Sequence, residues 1–317
     1  MNAHDIQQIL TSPWGLALIA IAIERWLPWP EQWHPVAIFR LFANYLQRKV
    51  NQSRYAPSQQ RLAGALALLL LLLLTLVPTA IVVYAADLSQ WLGTLVLVGC
   101  LRQQHLLHTL DSVEKLARKG QKRAARALLA RTDWRDTNNL SVHGIFKTTF
   151  ELRALSVIEH RYVPVLGWLL GGPILALALR VTTELYQLWP VCMPRFRHFG
   201  VAVRVAYAVT IGPVTLLLAM VASVLAALRR RPRDEPIDNN SAWLWPTARW
   251  LQALARLYNM STGGPLQVAG QRLQRQRFAG RPPEYCYPRY RLWLSAWQST
   301  LILLVTIALI LLFIYRP

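Results

Sequence analysis

Residues 63–86, AGALALLLLLLLTLVPTAIVVYAA, hold nine leucines, one proline and no charge. As a helix these 24 residues reach about 36 Å, enough to cross a hydrocarbon layer of about 30 Å. The stretch reads as a transmembrane helix, and the chain around it as a membrane protein. Composition agrees, because 54% of the 317 residues are hydrophobic and mean hydropathy is +0.26. The apolar residues come in blocks, without the spread of a soluble core.

Outward from that helix, five more blocks have the character of spans: residues 14–30, 88–101, 163–179, 201–228 and 294–315. The expected fold is therefore all-α: one polytopic domain over residues 1–317, with six transmembrane helices and amphipathic helices in its polar connections. The first block contains Glu24 and Arg25, which are costly in lipid unless paired or near the interface. Trp26, Trp29 and Trp33 follow as an interfacial belt. The block 88–101 is short and crosses only with help from its flanks.

The polar connections 31–62, 102–162 and 229–293 carry 29 of the 35 Lys and Arg residues. In a six-span arrangement all three fall on one face, which the positive-inside rule makes cytoplasmic. The N-terminus, the Asp87 turn, residues 181–200 and the C-terminal tail fall on the other. Both termini are thus expected in the periplasm of a bacterial inner membrane. Topology accounts for the net charge of +20 and the pI near 10.9. Nucleic acid is not needed to explain them, since stacking aromatics are sparse among the basic residues of 102–132.

Chemistry concentrates in residues 134–173, WRDTNNLSVHGIFKTTFELRALSVIEHRYVPVLGWLLGGP. Arg135, Asp136 and Thr137 offer a bidentate donor, an acceptor and a hydroxyl. Glu151 and Glu159, eight residues apart, can share one helix face. Pro164 and Gly171-Gly172-Pro173 permit a break or a close backbone approach. The plainer reading is a capped surface helix running into an ordinary span. Elsewhere, His105 and His108 stand at i, i+3 with no carboxylate to complete a metal site, so no metal is expected. The basic run ARKGQKRAARALLAR suits one or two amphipathic helices, and either anionic lipid or topology alone explains it. Cys100, Cys192 and Cys286 form neither a disulfide framework nor a zinc motif. No cleavable signal peptide is expected, and Walker, GxSxG and HExxH motifs are absent.

Several elements in order resemble the CobD/CbiB family of bacterial membrane proteins, to which AmpE proteins are distantly similar. They are His34-Pro35-Val36; Ala125-Arg126 with Arg135-Asp136-Thr137; Glu151; Pro164; Gly171-Gly172; Arg195–Gly200; and Gly263-Gly264-Pro265 with Gly270. For the enzymatic members the resemblance implies adenosylcobinamide-phosphate synthase, with ATP, magnesium and a corrinoid substrate. Glu151 and Glu159 would then be catalytic candidates. His34, Arg126, Arg135, Asp136, Thr137, Gly171, Gly172, Gly263 and Gly264 would bind ligand or phosphate.

The departures are also specific. The family's acidic EN pair is Leu155-Ser156 here, tyrosine stands at 186 for an aspartate, and Ala206-Tyr207 replaces an aspartate pair. Glu24-Arg25 and the layout of Arg161, Tyr162, Pro164, Trp168, Gly171 and Gly172 resemble AmpE more closely. The expectation is therefore a non-enzymatic, AmpE-like regulatory, signalling or scaffold protein, by resemblance linked to β-lactamase induction. Its partners would be the lipid bilayer and other inner-membrane proteins or anionic lipid. The corrinoid amide synthase is the alternative.

Overall fold

The computed structural model describes residues 10–26, 34–52, 54–86, 89–101, 103–231, 244–286 and 289–314. Trp29, Trp33, Asp87 and both termini, invoked above for the belt and the topology, lie outside the described residues. The helices in chain order begin with α1 Pro13–Trp26, α2 Pro35–Val50, α3 Pro57–Ala85, α4 Ser89–Cys100, α5 Gln103–Arg118 and α6 Lys122–Leu129. They continue with α7 Val142–Val157, a π-helical turn Ile158–Tyr162, α8 Val163–Leu188, α9 Val201–Thr210, α10 Gly212–Leu228 and α11 Trp245–Tyr258. Two small hairpin ladders follow, pairing β1 Thr262–Gly263 with β4 Arg277–Phe278 and β2 Leu266–Val268 with β3 Gln271–Leu273. The chain closes with α12 Pro283–Cys286 and α13 Arg289–Ile314.

Among the described residues three helical runs are long and apolar enough to cross a membrane: Pro57–Ala85, Val142–Leu188 and Arg289–Ala308. A fourth is possible if α9 and α10, bent by 51° at Ile211, count as one. The six-span count is not reproduced. Within 14–30 the described helix has only 14 residues and ends at Trp26, and within 88–101 it has only 12. At 1.5 Å per residue these reach about 21 and 18 Å, short of a bilayer core.

The expected span 163–179 needs a larger correction, because the run from Val142 to Leu188 is not a straight rod. Gly171 and Gly172 leave helical geometry, Gly172 with φ +67°, and Pro173 follows without an amide N–H. Beyond them the helix folds back. A Cβ on Gly167 would lie 3.0 Å from Ala176 Cα, although nine residues of straight helix would separate the two by about 13 Å. Further down the arms, Gln187 Nε2 donates to Glu159 Oε2 at 2.7 Å and Arg180 reaches His160. The stretch is a helical hairpin whose two open ends lie side by side.

That reversal also moves the connection 181–200, expected on the face opposite the basic loops. Asn51 Nδ2 donates to Arg195 O at 2.9 Å, and Arg40 from the first basic connection pairs with Glu184 at 2.6 Å. A cysteine introduced at Arg197 should therefore be labelled by an impermeant thiol reagent from the same side of sealed vesicles as one at Arg123. Labelling of the two from opposite sides would refute the hairpin.

Three apolar clusters hold the elements together. The largest joins α1, α4, α7, α8, α10, α11 and α13 through Phe150, Tyr162, Trp250 and Leu294. A second joins α2, α3, α8 and α9 through Ala43, Leu71, Leu185 and Phe199. The third packs α5, α6 and α7 through Leu110, Leu129 and Phe146. The run ARKGQKRAARALLAR forms the end of α5 and all of α6, with Ala125 and Leu129 inward and Lys122 and Arg123 exposed. On the outside of α3, Leu66, Leu69, Leu70, Leu73 and Leu74 are each more than half exposed. A continuous patch of that kind belongs against lipid. The acid of α1 is matched from within: Glu24 Oε1 accepts from Gln104 N at 2.8 Å, and Arg161 lies 3.5 Å from its other oxygen.

Candidate functional site

Where the hairpin's open ends meet the polar connections, the chain surrounds a cavity of about 400 Å³. Every basic connection contributes to its wall: Arg40 from the first, His105 and Arg131–Arg135 from the second, Leu266, Leu273 and Arg275 from the third. Tyr186, Gln187, Leu188, Pro190, Val191, Cys192 and Arg204 add to it. Five arginines, Arg40, Arg131, Arg135, Arg204 and Arg275, thus line one space.

Behind the cationic wall lies Glu151, fully buried on α7. Its Oε2 accepts from Arg135 Nη1 at 2.7 Å and from Arg275 Nη1 at 3.2 Å, while its Oε1 accepts from Gly263 N at 2.8 Å. A buried carboxylate persists only when such donors compensate its lost hydration. Gly263, at φ +70°, makes the approach possible: a Cβ there would lie 2.2 Å from Gln276 O. Asp133 lies 3.0 Å from Arg135 Nε. Burial pushes the Asp133 carboxyl above its ordinary range despite the guanidinium beside it.

The neighbouring residues of the signature hold backbone in place. Asp136 Oδ2 accepts from Gly270 N at 2.9 Å, and its own N–H donates to Gln267 O at 3.0 Å, so it fastens the β2–β3 hairpin to the Arg135 loop. Arg126 Nε donates to Leu140 O at 2.8 Å, and Thr137 Oγ1 donates to Arg126 O at 3.1 Å. Gly264 O accepts from Arg275 Nε at 2.8 Å.

The opposite wall carries Glu159 on the π-helical turn, a distortion that recurs at functional sites. There Glu159 and His160 line the cavity, whereas Arg161 turns to Glu24 and the Tyr162 hydroxyl donates to Trp297 O at 2.8 Å. Glu159 Oε1 accepts from Tyr207 Oη at 2.6 Å and Oε2 accepts from Gln187, so both direct donors are neutral. Tyr186 stacks on Tyr207 with ring centroids 4.0 Å apart. Beside them Arg40, Glu184, Arg180 and His160 form a continuous chain of ion pairs and hydrogen bonds. Cys192 also lines the cavity, and burial pushes its thiol up to about 11, which favours the neutral form.

The candidates therefore separate. Arg135, Asp136, Thr137, Arg126, Glu151, Gly263 and Gly264 form one connected cluster, of which Arg135 reaches the cavity. Glu151 is a positioning group behind it, and Glu159 and Asp133 are the carboxylates among its lining residues. His34 caps α2, its Nδ1 accepting from Val36 N at 3.2 Å, and does not line the cavity. Gly171 and Gly172 form the hairpin tip, also outside it. Arg40, Arg131, Arg204, Arg275, Asp133 and His160 escaped the sequence reading. Arg275 had no signal, since it is one of several arginines in QRLQRQR and its partner Glu151 is 124 residues away.

The sequence profile described as CobD/Cbib protein matches residues 17–282. The chain belongs to this family. It is 28% identical over 262 residues to a cobalamin biosynthesis protein CobD of Klebsiella pneumoniae subsp. pneumoniae, covering 78% of this chain and 81% of that protein. No solved structure matches. Of the positions given above as departures from the resemblance, Leu155, Ser156 and Tyr186 line the cavity, and Tyr207 supports Glu159.

Proposed function

We propose that this protein acts in cobalamin biosynthesis, as an enzyme that joins an amine to a corrinoid carboxylate with ATP. The observation that carries the reading is the cavity itself, with five arginines on its walls and the Glu159 carboxylate among them, in a chain matching the family over most of its length. Arg135 and Arg275, held in place by Glu151, bind the phosphates of the nucleotide or of the activated acid; bidentate guanidiniums suit phosphate geometry. The amine nitrogen attacks the activated carbonyl, forming the C–N bond and expelling the phosphate-bearing group. Glu159 takes the proton released from nitrogen, a role open to a positioned carboxylate without a cation directly on it. The arginines opposite offset the charge developing on the carbonyl oxygen.

The donor set fits a polyphosphate better than a bare metal ion. Among the described residues no three His, Cys, Asp or Glu side chains gather to hold one. Magnesium would have to be held mainly by phosphate oxygens, and no step here is routed through it. The basic connections face the cytoplasm of the inner membrane in this reading, where nucleotide is available. The regulatory, AmpE-like reading draws no support from the comparisons.

Complementation tests the proposal. A cobinamide-synthase deletion strain fed cobyric acid and expressing this chain should regain vitamin-dependent growth. No growth, with the protein present in the membrane and its fold intact, would overturn it.

A further inference from the structure

Helix α2 presents two apolar faces. Phe39, Ala43, Leu46 and Val50 pack into the cluster shared with α3 and α8. Ile38, Leu41, Phe42 and Tyr45 point away, exposed by 54%, 71%, 57% and 69%. Their i, i+3, i+4, i+7 spacing places them within an arc of about 100°. Arg48 and Lys49, both exposed, continue the same side at the helix C-terminus.

We infer that α2 is an interfacial helix, its outer stripe inserted among the lipids of the leaflet nearest the basic loops and its terminal cations on anionic headgroups. Two observations select lipid over another protein. The helix shares a core with α3, whose outer side is also apolar and exposed, Leu62 and Leu66 by 62% and 57%. Its charge is complementary to an anionic surface: Arg48, Lys49, Arg54 and Arg61 follow the stripe in sequence, and no acidic residue occurs between 35 and 62. Apolar residues on one face with Lys and Arg alongside is the pattern by which helices lie in a headgroup region.

The inference gives α2 a second task, because Arg40 on another side of the same helix lines the cavity and pairs with Glu184. Seating α2 in the leaflet holds the cavity at the membrane surface. This stands apart from the chemistry proposed above.

The test uses the full chain in lipid nanodiscs, with nitroxide labels on cysteines replacing Leu41, Tyr45 or, as a solvent control, Arg123, in a Cys192→Ser background. Dissolved oxygen should relax labels at 41 and 45 more strongly than a water-soluble nickel complex, with the order reversed at 123. Nickel access at 41 and 45 equal to that at 123 would overturn the inference. So would exclusion of both reagents, which would mean that protein, including a second copy, covers the stripe. The charge is tested separately: the Arg48→Gln, Lys49→Gln variant should lose its preferential retention of phosphatidylglycerol over phosphatidylcholine by roughly tenfold or more. Unchanged retention would overturn the headgroup assignment.

Discussion

Replacing Glu151 with alanine should cost about 3–5 kcal/mol of stability, the range expected when one partner of a buried ion pair is removed. The loss is large because the carboxylate serves three segments at once: Arg135 before α7, Arg275 in the strand region, and the Gly263 amide. Without it two buried guanidiniums repel each other, and a buried N–H loses its acceptor. Glu151→Gln should lie between, since an amide oxygen still serves Gly263 but the charge is gone. Thermal unfolding in detergent reads both, and an unchanged midpoint for the alanine variant would remove Glu151 from its place as organiser of the cationic wall.

Glu159→Gln should do the reverse, leaving stability nearly intact while lowering amide formation by roughly 10²–10⁴-fold, as loss of a general base does. The glutamine oxygen still accepts from Tyr207, and Gln187 can turn its own amide to satisfy the new NH₂. Single-turnover assays with membranes, corrinoid acid, amine and ATP measure the effect. A variant turning over at the parent rate would deny Glu159 the role of base, whatever its structural part.

How legible this was in the sequence depends on whether a feature is local. Ala63–Ala86 is legible because twenty-odd apolar residues have few other fates, and α3 spans nearly the same residues. Arg135, Asp136, Glu151 and Gly263-Gly264 can be singled out from the order of motifs, but that they meet, and that His34 stays outside the cavity, appears only in the contacts. The hairpin was not legible: hydropathy measures apolarity, not direction, and a span and a fold-back of equal length score alike. Only Gly171-Gly172-Pro173 marked the reversal, and it reads equally well as a kink. The blocks 14–30 and 88–101 were read as spans from apolarity alone, and their described helices α1 and α4 have 14 and 12 residues. Behind the cavity wall, Tyr207 stands in the resemblance only as the loss of an aspartate. Its hydroxyl on Glu159 makes it part of the site, a pairing across 48 residues that no spacing rule anticipates.

The five arginines of the cavity also govern how the protein behaves in a test tube. A recess lined this way collects small oxyanions from solution regardless of their biological relevance, because bidentate donors recognise sulfate and inorganic phosphate as readily as a nucleotide. Phosphate-buffered or ammonium-sulfate-fractionated preparations should then present a protein already occupied at its arginines. If the proposed amide synthesis holds, turnover measured in such buffers should be depressed competitively, and a preparation judged inert there should recover on exchange into a chloride buffer of low ionic strength.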